Sequence, residues 1–122
     1  MTADEMLDAL MDDSLTTDGF DHAAHLRVAH AALRRFEFFE AAHVYASGLR
    51  RFAARLGVPE KYHATVTLAF LCLVAERMGD ETSDSFPDLH PDLFADPLAR
   101  AGYGPARLGN PRARRIGLLP LA

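Results

Sequence analysis

The chain has 122 residues, of which 49% are apolar, so its length fits one domain with a hydrophobic core. Its net charge of −4 and the lack of a clear recognition helix argue against nucleic-acid binding. The single cysteine, Cys72, excludes an internal disulfide and a multi-cysteine zinc site. The acidic start at Met1–Glu5 lacks the basic and apolar regions of a signal peptide, so we expect a cytoplasmic protein.

The first part of the chain predicts two helices. Thr2 and Glu5 have the spacing of a capping box, and apolar residues at helical spacing follow them. Asp21 is a typical N-cap residue. We therefore expect a short N-terminal helix, and a second helix from about His22 to Phe38.

Two further helices are predicted in the middle of the chain. After a corner at residues 38–40, a third helix is expected from about Glu40 to Leu56, because Gly57 and Pro59 mark a helix end and a helix start. The fourth runs from about Pro59 to Met78. Residues 64–75 are almost wholly apolar, which is typical of a buried central helix. This run is too short to span a membrane, which takes about 20 residues.

The last third of the chain has a different composition. Residues 80–122 are rich in Pro, Gly and Asp, yet they hold too many apolar residues for a disordered tail. We expect short helical turns at 91–94 and 105–108, in a segment that wraps over the bundle. The predicted fold is all-α: one domain, 1–122, with three main helices and a short N-terminal helix in a core bundle of about 3–79, and an irregular C-terminal wrap of about 80–122.

Three histidines are predicted to converge at one end of this bundle. His22 and His25 are three residues apart, so they share one side of the second helix. Short connections make consecutive helices antiparallel, so the second and fourth helices run parallel. His63 lies in the second predicted turn of the fourth helix. If these two helices are neighbours, all three imidazoles meet.

Three imidazoles at one place suit a divalent transition metal such as Fe, Zn, Cu or Ni. Three protein ligands with an open position are typical of a catalytic metal site. We therefore predict His22, His25 and His63 as metal ligands. Glu60 is a fourth ligand, a general base, or only an acid favoured by the helix dipole. Its single Glu-x-x-His spacing argues against a di-iron centre, which needs matching glutamates on other helices.

The same residues also allow a site without metal. One histidine then serves as general base, and Tyr62, Thr65 or Thr67 donates hydrogen bonds. In a purely structural alternative, His63 is a core histidine bonded to a backbone carbonyl or to Thr67. Arg114 can bind an anionic group of a substrate, although surface charge is the simpler interpretation. Isolated histidines are often only half-buried, so the structural interpretation is favoured for three others: His30, His43 and His90.

Two sequence strings resemble elements of a known family. The strings FDHAAHLRVA at 20–29 and KYHATVT at 61–67 resemble the Phe-x-His-x-x-His-Leu and Lys-Tyr-His-x-Thr-x-Thr elements of a family of small bacterial all-helical proteins, most of them uncharacterised. The ending around 91–120 is similar as well. The resemblance implies one functional constellation of His22, His25, His63, Thr65, Thr67 and Arg114. The chain departs at Ala75, where relatives often have a histidine.

Three functions are compatible with these patterns. The first is a small metal-dependent enzyme that acts on a small molecule, with Thr65, Thr67, Tyr62 and Glu60 as catalytic candidates and Arg114 as a substrate-binding candidate. The second is a metal-free module that binds or senses a small ligand. The third is a structural or partner-binding helical protein, and bundles of this size often form homodimers. Neither a nucleic acid nor a membrane is expected as a partner.

Overall fold

The computed structural model describes residues 1–120 and confirms the predicted all-α fold. Within this range there are seven α-helices, three 3-10 turns and no β-strand. The helices are α1 (Ala3–Met11), α2 (His22–Arg35), α3 (Phe38–Arg55), α4 (Ala64–Arg77), α5 (Phe86–Leu89), α6 (Pro97–Arg100) and α7 (Pro105–Leu108), and the 3-10 turns are Pro59–Lys61, Pro91–Phe94 and Pro111–Arg114. No helix of the described part is both long and apolar enough to cross a bilayer. The last two residues of the predicted wrap lie outside the described residues.

The two predicted helix starts in the first part of the chain are confirmed. At α1, the Glu5 amide donates to Thr2 Oγ1 at 3.2 Å, and the Thr2 amide donates to Glu5 Oε1 at 2.8 Å. At α2, the Ala24 amide donates to Asp21 Oδ1 at 2.9 Å. These side chains satisfy amides that have no partner inside their own helix, and they fix where each helix begins.

The corner between α2 and α3 lies earlier than predicted. α2 ends at Arg35, and Phe36 and Glu37 are extended. The Glu40 amide donates to Glu37 Oε1 at 3.0 Å, so Glu37 is the N-cap residue of α3. Residues 38–40, the predicted corner, are therefore the first turn of α3. The prediction missed this start because Glu is an uncommon N-cap residue.

The predicted fourth helix is not continuous. Residues 59–61 form a 3-10 turn, and His63 has the extended dihedral angles φ −137° and ψ 107°. The Val66 amide donates to His63 Nδ1 at 3.2 Å, which makes this imidazole the N-cap group of α4. The prediction that His63 lies in the second turn of a helix is therefore wrong. His63 is the residue before the first turn of α4.

The central helix of the bundle is α2, and not the apolar α4 that the sequence suggested. α1, α3, α4 and α5 all contact α2. Half of its residues are buried, and four of them are alanines, which let neighbouring helices approach closely: Ala24, Ala29, Ala31 and Ala32. In contrast, α4 buries only four residues along its length, Thr65, Ala69, Leu71 and Val74.

The C-terminal segment packs on the bundle, as expected. Phe86 and Leu93 join the same buried cluster as the side chains of α1 and α2. Near the end of the segment, the buried Thr65 hydroxyl donates to the Ile116 carbonyl at 2.7 Å and accepts from the Leu118 amide at 3.0 Å. Gly117 lies between these two residues, where an added Cβ would come within 2.8 Å of Leu68 Cδ2. A side chain at this residue would require Leu68 to move aside.

Replacement of Thr65 by valine should loosen the end of the wrap. The variant keeps the side-chain shape but leaves the Ile116 carbonyl and the Leu118 amide without their partner, which costs about 1–3 kcal/mol in the free energy of unfolding. Urea denaturation measures this loss, and hydrogen exchange should show a faster rate at the Leu118 amide. Thr17→Val, in the exposed loop before α2, is the matched control. Equal stability and exchange in both variants would show that Thr65 does not anchor the segment.

Candidate functional site

A cavity of about 450 Å³ opens at the N-terminal ends of α2 and α4. Its wall is mostly apolar and includes Phe20, Leu26, Phe52, Val66 and Phe70. The polar groups of the lining come from the start of α2, from α3, from the connection between α3 and α4, and from the beginning of α4: Asp21, His22, His25, Tyr45, Lys61, Tyr62, His63 and Thr67. A concave, largely apolar space with a few polar groups is the usual form of a small-molecule site, and this volume is typical of one.

All three histidines that were predicted to converge line this cavity. His22 and His25 belong to the first turn of α2, and His63 immediately precedes α4. Because α2 contacts α4, the two helix starts lie side by side. The ring of His22 also contacts Phe70 of α4, with 5.0 Å between the ring centroids.

Both ring nitrogens of His63 are engaged by the backbone. Nδ1 accepts from the Val66 amide at 3.2 Å, and Nε2 lies 2.9 Å from the Leu108 carbonyl. Since a carbonyl only accepts, the proton is on Nε2 and the imidazole is neutral. This arrangement agrees with the structural alternative for His63, in which it bonds to a backbone carbonyl.

His22 and His25 each have one nitrogen engaged. His22 Nε2 donates to the Leu93 carbonyl at 3.0 Å, and His25 Nδ1 donates to the Asp21 carbonyl at 2.8 Å. Their other nitrogens, His22 Nδ1 and His25 Nε2, form no hydrogen bond with residues 1–120. His22 is exposed, whereas His25 is half-buried beneath Phe20, whose ring centroid is 4.2 Å from that of the imidazole.

His25 is held in its neutral form. Burial lowers the pKa of His25 below its usual value of 6.5, and the neighbouring His22 lowers it further, although the bond to the Asp21 carbonyl acts in the opposite direction. With the proton on Nδ1, Nε2 carries the lone pair of an imidazole that lines the cavity. This nitrogen can accept a hydrogen bond or a proton at neutral pH.

The donor set does not fit a three-histidine metal site as it stands. Only two of the three imidazoles have a nitrogen free of backbone bonds, because His63 uses both of its nitrogens. In residues 1–120, no three His, Cys, Asp or Glu side chains are arranged to hold a metal ion. Metal binding by His22, His25 and His63 would require His63 to give up a bond to the backbone, and it stays a prediction.

The other predicted site residues divide into two groups. Tyr62 and Thr67 line the cavity: burial raises the pKa of Tyr62, and the Thr67 hydroxyl donates to the His63 carbonyl at 2.8 Å. Three others do not line it. Thr65 is buried under the C-terminal segment, Glu60 is exposed, and Arg114 donates to the backbone carbonyl of Glu60.

Lys61 and Tyr45 are two of the cavity residues that had not been considered as site residues. Lys61 was treated as part of a motif only, although it is the single lysine of the chain and adjoins two candidates. Tyr45 of α3 lines the cavity and donates to the His25 carbonyl at 3.3 Å. Its position on α3, facing α2, was open to prediction from helical periodicity, but its role in the wall depends on tertiary packing.

A second group of histidines lies away from the cavity. His30 is fully buried, its Nδ1 lies 2.7 Å from Ser83 Oγ, and its Nε2 lacks a hydrogen-bond partner within residues 1–120. Glu81 lies 3.7 Å from His30 Nε2 and 3.8 Å from His90 Nε2. Phe86 packs against both imidazoles. This group connects α2 to the C-terminal segment, while His43 is exposed on α3.

Comparison of the chain with protein-family models, with curated proteins and with solved structures finds no match. The resemblance of residues 20–29 and 61–67 to a bacterial helical family is not tested by this outcome. The functional argument therefore depends on the cavity and its residues.

Acid should destabilise the protein through its buried histidines. Burial lowers the pKa of both His25 and His30, and for His30 the nearby Glu81 only partly opposes this. Below the unfolded-state pKa of about 6.5, the unfolded chain binds protons that the folded chain does not. The free energy of unfolding should therefore fall as the pH drops below about 6.5, by at most about 1.4 kcal/mol per pH unit for each histidine.

Denaturation between pH 5 and 8 measures this dependence. His30→Gln and His25→Gln should each flatten the slope below pH 6.5, because each removes one proton-binding group. His43→Gln removes an exposed histidine and should leave the slope as it is. A slope that is the same in all four proteins would contradict the assignment to His25 and His30.

Proposed function

We propose that the chain binds a small organic molecule in the cavity, and that His25 accepts a hydrogen bond or a proton from it. The observation that carries this proposal is the free Nε2 of a neutral imidazole in the wall of a largely apolar, 450 Å³ space. A lone pair in such surroundings is a stronger and more selective acceptor than one in water.

The surroundings of His25 support this role. Its ring is fixed by the hydrogen bond from Nδ1 to the Asp21 carbonyl and by contact with Phe20. The Tyr45 hydroxyl bonds to its backbone carbonyl. A site residue that is held in place from both sides loses little freedom when a ligand binds, which favours affinity. No metal is needed for this form of recognition.

A metal-dependent enzyme is the second candidate. The observation that favours it is that His22, His25 and His63 all line one cavity, as the helix arrangement predicted. A bound metal would polarise a substrate or activate water. This candidate requires His63 to release the Val66 amide or the Leu108 carbonyl, whereas the first requires no rearrangement.

A pair of probes of equal shape tests the role of His25. 2-Naphthol carries a hydroxyl where 2-methylnaphthalene carries a methyl group, and both fit the apolar character of the wall. The hydroxyl should gain a bond to His25 Nε2 of about 1 kcal/mol, so 2-naphthol should bind about fivefold more tightly. NMR titration of isotope-labelled protein gives both dissociation constants, and the amides that shift show where the probe binds.

His25→Leu should abolish the difference between the two probes, because leucine has no acceptor. His43→Leu, on the exposed side of α3, should preserve it. The difference should also shrink as the pH falls and His25 becomes protonated, since the acceptor is then lost. Binding of both probes with equal affinity to the wild type would reject His25 as acceptor, and binding of neither would reject the cavity as the site.

Metal analysis separates the two candidate functions. Protein made without a histidine tag is incubated with Fe, Zn, Cu or Ni, freed of excess metal, and measured beside a His22→Ala/His63→Ala double variant. We expect far less than one metal ion per chain in both proteins, because His63 has no free nitrogen. A content near one per chain that the double variant loses would establish the metal-dependent candidate instead.

A further inference from the structure

We propose that the ligand of this cavity has an apolar body and a negatively charged head group, of which a carboxylate is the simplest form. The charge preference rests on the proposed function, because it applies only if the cavity is a ligand site. It goes further in naming the class of molecule and the part of the rim that recognises its head. An ionised carboxylate cannot donate to His25, so the donor that the proposed function requires is a separate group of the ligand.

The apolar body follows from the wall of the cavity. Phe20, Leu26, Phe52, Val66 and Phe70 present rings and branched side chains to the space. Most of the volume therefore offers no hydrogen-bond partner. A ligand that was polar throughout would lose its hydration here without replacement, which is costly.

The charge of the head group follows from the pairing of the rim residues. Lys61 lies on the rim, is exposed, and forms no ion pair within residues 1–120. The rim also has a carboxylate, Asp21, but that group is bonded to the Ala24 amide as the N-cap of α2. The rim therefore has one ammonium group without an ion-pair partner and one carboxylate, Asp21, which keeps its charge while it accepts from the Ala24 amide.

Two further groups bear on the charge of this region, namely Tyr62, which follows Lys61 in the chain, and Arg50. Burial raises the pKa of Tyr62, and the positive charge of Arg50 lowers it by a smaller amount. The guanidinium of Arg50 is therefore close to Tyr62. Arg50 forms no ion pair with the described residues, unlike Arg51 of the same helix, which pairs with Asp13 at 2.8 Å. The Tyr62 hydroxyl has no hydrogen-bond partner in residues 1–120 and can donate to an anion.

The helices add to the same field. α2 and α4 point their N-terminal ends at the cavity, and neither has an acidic residue in its first turn. By contrast, the first turns of α1 and α3 contain acidic residues. The positive end of α4 therefore has no acidic side chain beside it and favours an anion at the rim, whereas the carboxylate of Asp21 already lies at the N-terminal end of α2. Near the cavity, the two cations Lys61 and Arg50 thus stand against one lining carboxylate, Asp21, in a chain of net charge −4.

Three probes that share one ring system test the charge preference. They are 2-naphthylacetate, its neutral isostere 2-naphthylacetamide, and the cation 2-(2-naphthyl)ethylamine, each titrated by NMR at pH 7.5. We expect the carboxylate to bind about fivefold more tightly than the amide, and the amine to bind most weakly. The advantage of the carboxylate should shrink at higher salt concentration, because exposed charges are screened.

Lys61→Met should reduce the ratio between carboxylate and amide towards one. Arg100→Met removes the same charge from the exposed end of α6 and should leave the ratio unchanged. Equal affinity for carboxylate and amide, a preference for the amine, or a ratio that Lys61→Met does not alter would overturn the charge preference. In each of these cases the proposed ligand site itself would stand. If none of the three probes binds, the proposed function fails as well.

Discussion

The close packing of four helices around α2 is the constraint on which the rest of the structure depends. Alanines on several faces of α2 let α1, α3, α4 and α5 approach it together. A larger side chain in such a core typically costs about 1–3 kcal/mol, because neighbours must shift. Packing is equally close at Gly48 of α3, where an added Cβ would lie 2.7 Å from Leu10 Cγ. With α2 fixed from all sides, its first turn and His25 have a defined position at the cavity.

The C-terminal segment completes the site as well as the core. Its backbone carbonyls at Leu93 and Leu108 accept from His22 and His63, so the irregular part of the chain decides which nitrogen of each imidazole carries the proton. A bond to one nitrogen determines what the other can do. His63 is fully used in this way, whereas His25 bonds to its own helix start and keeps Nε2 available. The three histidines thus differ in which nitrogen is free because each bonds to different backbone groups.

Much of the fold was predictable from sequence, because periodicity and capping are local. The capping box at Thr2 and the N-cap at Asp21 follow from side chains within three residues of the groups they bind. The convergence of the three histidines followed from short connections between helices, on the condition that the second and fourth helices are neighbours. The break before α4 was missed because histidine is an unusual cap. The partners of His30, His22 and Thr65 lie 51 to 71 residues away in an irregular segment, where no period shows which groups meet.

Burial by itself does not distinguish a functional histidine from a structural one in this protein. Burial lowers the pKa of both His25 and His30, so both favour the neutral form. His30 is enclosed by Ser83, Phe86 and Glu81, and it does not line the cavity. His25 combines the neutral form with a free nitrogen and with a place in the cavity lining. Only this combination allows a second molecule to use the lone pair, and it is the reason that the cavity, rather than the more deeply buried cluster, is the site to test.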